Sequence, residues 1–167
     1  MNKRNIILIG MPGAGKSSVG VILAKVLGYE FIDTDLVIQH REKRLLREII
    51  EDEGNEGFLA IENEVNATLE ADKSVIAPGG SAIYGKEAME HFKEIGTIVY
   101  LKLSYEDLAK RLGNLKGRGV VLKEGQTLKD LYDERSKLYE QYAEITVEES
   151  GRDIQGTILA LREQIGM

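Results

Sequence analysis

Three observations in this 167-residue sequence predict an α/β fold with a mainly parallel sheet covered by helices on both faces. Short apolar runs alternate with stretches of helical periodicity, which is the pattern of successive βα units. The first apolar run, Ile6-Ile7-Leu8-Ile9, leads directly into Gly10-Met11-Pro12-Gly13-Ala14-Gly15-Lys16-Ser17, a match to the phosphate-loop pattern G-x-x-x-x-G-K-[ST]. The length suits one domain, able to bury about 70% of the surface its unfolded chain exposes, and leaves no room for a second.

In chain order, strands are expected at Asn5–Ile9, Glu30–Ile32, Ser74–Ala77, Thr97–Leu103 and Glu144–Val147. Helices are expected at Lys16–Leu27, Leu36–Gln39, Leu46–Glu53, Glu56–Ala71, Lys86–Lys93, Tyr105–Leu112, Leu128–Ala143 and Asp153–Ile165, where apolar residues recur at helical spacing. No internal repeat, low-complexity tract or long linker interrupts the series. Ligands of open parallel sheets bind outside the carboxyl ends of the strands, so the segments after Ile9, Ile32, Ala77 and Leu103 should converge on one cleft.

Composition narrows the function classes. No cysteine is present and only His40 and His91 among histidines, which excludes disulfides, thiol nucleophiles and cysteine-based zinc sites and argues against a His-rich metal centre. Any metal should be Mg²⁺ arriving with a nucleotide. The net charge of −6, from 22 Lys+Arg against 28 Asp+Glu, argues against a nucleic-acid surface, although a small anionic substrate needs only a local basic pocket. The first strand begins about five residues from Met1, leaving no space for a signal peptide, and no apolar run approaches the ~18 residues of a membrane span. The expectation is a cytoplasmic monomer that binds neither nucleic acid nor membrane.

The phosphate loop carries the first chemical assignment. Its glycines let successive backbone N–H groups surround a phosphate, and the helix beginning near Lys16 adds its positive end to the same spot. Lys16 then reaches the outer phosphates and the Ser17 hydroxyl holds Mg²⁺. After the second strand, Asp33-Thr34-Asp35 offers two carboxylates, one to orient a water on Mg²⁺ and the other to accept a proton from the attacking hydroxyl; Asp35 alternatively caps the following helix. After the third strand, Gly79-Gly80 serves either a plain turn or a ligand lying against the backbone.

Lys110 to Arg118 packs four cations and two glycines into nine residues of an otherwise acidic chain, which reads as a mobile basic lid over about 110–126. In the helix Leu128–Ala143, Arg135 falls inside the stripe of Leu128, Leu131, Tyr132, Leu138, Tyr139 and Tyr142. A buried guanidinium needs an anion, supplied either by a structural carboxylate or by the substrate. Glu62, at the edge of the Phe58, Ile61, Val65, Leu69 stripe, is expected in structural pairing, with Arg135 one candidate partner.

These elements, in this order and spacing, resemble the shikimate kinases nearly end to end. That resemblance implies a three-layer P-loop kinase fold with a five-stranded parallel sheet ordered 2-3-1-4-5, and transfer of the γ-phosphate of ATP to the 3-hydroxyl of shikimate. Matched motif by motif, it assigns Gly13, Ala14, Gly15, Lys16, Ser17 and Ser18 to the nucleotide phosphates, Ser17 and Asp33 to Mg²⁺, and Asp35 to substrate hydroxyls and the role of base. It further assigns Gly79 and Gly80 to the substrate wall, Arg118 to the lid, Arg135 to the substrate carboxylate, and Arg111 and Arg152 to the two faces of adenine.

The sequence departs from the family pattern on the substrate side. Leu59 stands where family members carry the second arginine of the carboxylate clamp, Ser81 replaces the third glycine, Gly119 replaces a proline after the lid arginine, and Lys137 replaces one before Leu138-Tyr139. A charge-assisted contact is worth about 1.5–3 kcal/mol, so losing the clamp arginine should weaken shikimate binding by roughly ten- to a hundredfold unless another cation compensates. Alternatives are therefore a related kinase acting on another polyol or hydroxy acid, a nucleoside monophosphate kinase, and a non-catalytic ATP-binding sensor. No Asn-Lys-x-Asp guanine motif supports a GTP switch.

Overall fold

The computed structural model describes residues 3–112 and 125–167. Five parallel strands, β1 (Asn5–Ile9), β2 (Glu30–Asp33), β3 (Ser74–Ala77), β4 (Gly96–Lys102) and β5 (Ile145–Glu148), form one sheet in the order β2-β3-β1-β4-β5. β1 lies at the centre, with Ile7 opposite Ile76 of β3 and Ile98 of β4. The helices are α1 (Lys16–Leu27), α2 (Thr34–Glu42), α3 (Leu46–Ala67), α4 (Lys86–Ile95), α5 (Tyr105–Arg111), α6 (Leu128–Tyr142) and α7 (Ile154–Ile165), and a 3₁₀ turn covers Ala82–Tyr84.

Alternation along the central strands creates three layers. Ile7 and Ile9 of β1, with Ile98 and Tyr100 of β4, face a core completed by Met89 and Phe92 of α4, Leu108 of α5 and Leu131 of α6. Ile6 and Leu8, with Val99 and Leu101, face the opposite core, where Val19 and Leu23 of α1 meet Ile158 and Leu161 of α7. Because both faces are covered, these strands are continuous apolar runs, and each buried aliphatic side chain contributes about 1.5–3 kcal/mol of burial. A third, smaller cluster of Ile38, Ile49, Phe58 and Val65 holds α2 against α3 at the edge of the cleft.

All five strands and the main helices fall where the sequence places them, with shifted ends. The helix expected at Leu36–Gln39 runs from Thr34 to Glu42, so Asp35 is not its cap. Asp33 takes that position, its Oδ1 accepting from the Asp35 N–H at 2.9 Å. The break expected between Glu53 and Glu56 is a kink at Gly54, whose φ of 75° is open to glycine at little cost. The second half of α3 ends at Ala67 rather than Ala71. Among the described residues no helix is long and apolar enough to cross a membrane. The expected lid falls largely on residues 113–124, outside the described part of the chain, and Arg118 lies with it.

Candidate active site

The carboxyl ends of β1, β2 and β3 open into one cavity of about 280 Å³, whereas the segment after Leu103, expected in the same cleft, does not line it. Its floor is the loop after β1, where a turn from Ala14 N–H to Met11 O and the left-handed Gly15 (φ 84°) aim the chain into α1. Gly15 is therefore the helix cap, and the free N–H groups of the first turn carry the helix dipole into the cavity. Lys16 Nζ donates to Gly10 O (2.8 Å) and Met11 O (2.9 Å), folded back over its own loop. Burial lowers its pKa to about 8, outweighing the opposing pull of Asp35, so the ammonium awaits an anion. Gly13, Gly15, Lys16, Ser17 and Ser18 all line the cavity; Ala14 is fully buried beneath them.

Asp33 and Asp35 enter from the end of β2, on the same side as Ser17. Burial raises Asp35 to about 6, with Asp33 adding repulsion and Lys16 subtracting from it. A carboxylate so poised accepts a proton more readily than one in water. No group of three or more metal-ligating side chains exists among the described residues. Ser17 and Asp33 suit Mg²⁺, which keeps most of its waters and takes one or two protein ligands plus phosphate oxygens.

The opposite wall comes from β3, α3 and α6. A methyl group on Gly79 would sit 2.9 Å from Asp35 Oδ1 and 3.0 Å from Glu62 Oε2, and one on Gly80 would sit 2.7 Å from Pro12 and 3.0 Å from Arg135 Nη1. A side chain at either place would force a neighbour to shift, so these are close-approach positions. Tyr139 O–H donates to Gly80 O at 2.6 Å and pins the loop. One turn earlier on α6, Arg135 is 1% exposed, with its guanidinium 5.5 Å from the Tyr84 ring centre and lining the cavity.

Glu62 faces the same cavity, 1% exposed, and its Oε1 accepts from Ser81 Oγ at 2.6 Å. Burial pushes it up to about 7, while Ser81 and Arg135 pull it back. Its hydrogen-bonded partner is thus Ser81, with Arg135 acting through charge. Leu59 is not part of the cavity wall. It packs half-buried against the third cluster, because Phe58 and Glu62, one helical turn apart, occupy the cavity-facing side of α3.

A smaller cavity of about 180 Å³ adjoins the phosphate loop and brings Arg111 and Arg152 together with Gly15 and Ser18. Arg111 Nη1 donates to Gly13 O at 3.2 Å. Glu149, just past β5, lines this cavity with the two arginines, its Oε2 lacking a hydrogen-bond partner among the described residues. Burial raises it to about 7 against the pull of Arg111 and Lys16. Sequence reasoning passed over Glu149, since a glutamate in the run Glu148-Glu149 reads as solvated surface.

The sequence model of the shikimate kinase family matches residues 12–165. A shikimate kinase of Histophilus somni is 36% identical over 170 residues, covering 98% of this chain and 97% of that one. Shikimate kinase 2 of Yersinia pseudotuberculosis is 34% identical over 149 residues, or 84% and 83% of the two chains. Among solved structures, the shikimate kinase of Acinetobacter baumannii in complex with shikimate superimposes with a TM-score of 0.86 at 33% identity, over 98% of this chain and 93% of the other. The Aquifex aeolicus shikimate kinase does so with 0.78 at 28% identity, over 97% and 96%.

Proposed function

The chain belongs to the shikimate kinase family, and on that premise we propose that it transfers the γ-phosphate of ATP to the 3-hydroxyl of shikimate, a step of aromatic amino-acid biosynthesis. The observation that carries this reading is the single cavity in which a phosphate loop faces Asp35, Gly79-Gly80 and a buried arginine. ATP lies with its phosphates on the loop amides and Lys16, its base against the cavity of Arg111 and Arg152. Ser17 and Asp33 would hold Mg²⁺, which would supply positive charge to the phosphate oxygens.

The acceptor occupies the opposite wall. Arg135 grips its carboxylate, which makes the substrate anionic, and the two glycines let its ring lie directly against the backbone. Asp35 accepts the proton of the attacking hydroxyl while Lys16 leaves its carbonyl contacts for the transferring phosphoryl group. Arg118 adds charge from the lid. With Arg135 retained and no arginine at position 59, one arginine is left for the substrate carboxylate, which favours a higher acceptor KM rather than a different reaction.

Incubation with Mg²⁺-ATP and shikimate, followed by ³¹P NMR of the product, tests the proposal. A new phosphomonoester resonance coupled to the ring proton at carbon 3, absent with Asp35→Asn, is expected. ATP consumption without that resonance would assign the chain another acceptor.

A further inference from the structure

We propose that Glu149 reads the nucleotide base: its buried carboxylate accepts a hydrogen bond from the exocyclic amino group of adenine and so selects a 6-amino purine over a 6-oxo one. The inference rests on the reading that the base of ATP lies in the cavity of Arg111 and Arg152.

Three observations carry it. Glu149 is 5% exposed, and its Oε2 is buried without a hydrogen-bond partner among the described residues. A carboxylate oxygen left that way is costly, and a ligand that brings a donor removes the cost. The residue lines the 180 Å³ cavity beside the phosphate loop and a second cavity of about 280 Å³, with Arg111 and Arg152 common to both. Its place is fixed by the backbone: its N–H donates to Lys102 O at 2.8 Å, and its carbonyl accepts from the Arg152 N–H at 3.0 Å. A methyl group on Gly15 would lie 3.6 Å from Glu149 Oε1 and 3.7 Å from Arg111 Nη1, so the carboxylate stands at the phosphate loop beside the arginine.

The chemistry of the cavity says which ligand group meets it. Guanidinium groups only donate, so Arg111 and Arg152 can stack on a purine or meet its ring nitrogens but cannot receive its amino group. Of the two carboxylates in the 180 Å³ cavity, Asp153 is engaged as the cap of α7, its Oδ1 accepting from the Gly156 N–H at 2.7 Å. Glu149 is the one with an oxygen to spare. Phosphate oxygens are acceptors and are repelled by it, which leaves the base amino group and the ribose hydroxyls. Two guanidinium groups suit the flat face of a base better than a ribose, so the base edge is what Glu149 meets. Arg111 and Lys16 pull Glu149 toward its charged form, in which it only accepts. A 6-oxo purine would set a carbonyl oxygen against that carboxylate, acceptor against acceptor.

Calorimetric titration at pH 8, without acceptor, tests the pairing. The Mg²⁺ complexes of ADP, IDP, purine riboside diphosphate and 2′-deoxy-ADP are titrated into the unmodified protein, Glu149→Gln and Glu149→Ala, with thermal melts confirming that each variant folds. The unmodified protein should bind purine riboside diphosphate, which lacks only the amino group, about 10- to 100-fold more weakly than ADP, and IDP at least as weakly. Glu149→Gln, whose amide can donate to the 6-oxo oxygen, should narrow the gap between ADP and IDP by about tenfold, and Glu149→Ala should bring ADP down to purine riboside diphosphate. Equal affinity of the unmodified protein for ADP and purine riboside diphosphate would overturn the proposal even if neither variant folds. Equal changes for all four nucleotides on substitution would make Glu149 a structural residue and overturn it. A dependence on the 2′-hydroxyl in place of the amino group would put Glu149 at the ribose and overturn it as well. Failure of the folded, unmodified protein to bind Mg²⁺-ADP would overturn this proposal together with the reading on which it rests.

Discussion

The two halves of the cleft are built by different means. The phosphate-loop side is one contiguous segment, Gly10 to Ser18, rich in backbone N–H groups; the acceptor side collects Asp35, Glu62, Gly79, Gly80 and Arg135 from four separate stretches of chain. A phosphate cradle made of backbone tolerates little change, because loop geometry is the binding chemistry. A wall made of converging side chains changes one residue at a time. Leu59 and Ser81 are such changes, Ser81 in the cavity wall and Leu59 behind it, packed against the third cluster.

The largest expected effect tests the phosphate-loop side. Lys16→Ala removes the charge that stabilises the transferring phosphoryl group and should lower kcat by at least about 100-fold, measured as ADP release at saturating substrates. A loss confined to the acceptor KM would break the division. Arg135→Gln should instead raise the acceptor KM by about 10- to 100-fold with the ATP KM unchanged, as steady-state kinetics would report. Movement of both constants together would show that the halves are coupled through Gly80, which Arg135 nearly touches.

Leu59→Arg sharpens the comparison by restoring the missing cation. Because Leu59 packs against the third cluster rather than lining the cavity, the arginine must lean past Phe58 to reach the substrate. The shikimate KM should fall by up to about tenfold, at some cost in melting temperature. An unchanged KM would mean that the clamp is not what limits acceptor binding.

The smallest effect is thermal. Glu149 is raised from its ordinary 4.5 to about 7 in the folded protein, so its contribution to stability is full below about 4.5 and is lost as pH rises through 7. Glu149→Gln should therefore leave the melting temperature unchanged near pH 4.5 and raise it by a few degrees at pH 8, read from paired melts of the nucleotide-free protein. A rise of equal size at both pH values would exclude the buried charge as the cause.

The same contrast separates what the sequence revealed from what it concealed. The phosphate loop, the βα alternation and even the kink at Gly54 were legible because each is written in residues close together in the chain. The helix cap was misplaced by two residues, since Asp33 and Asp35 both suit capping and only the end of β2 decides between them. Leu59 was placed in the cavity by homology of position, yet the helical phase of α3 gives that face to Phe58 and Glu62. The Ser81 to Glu62 hydrogen bond and the buried Glu149 depend on contacts between distant segments, which no local pattern encodes.

The central claim is that an intact ATP half serves an altered shikimate half. The most direct measurement is kcat/KM for ADP release across a panel of acceptors: shikimate, other cyclic hydroxy acids, neutral polyols and nucleoside monophosphates. Saturable turnover highest with shikimate, with a KM raised by the single arginine, is the predicted result. Shikimate matched or exceeded by another acceptor would contradict it, and would make Leu59 and Ser81 markers of that acceptor.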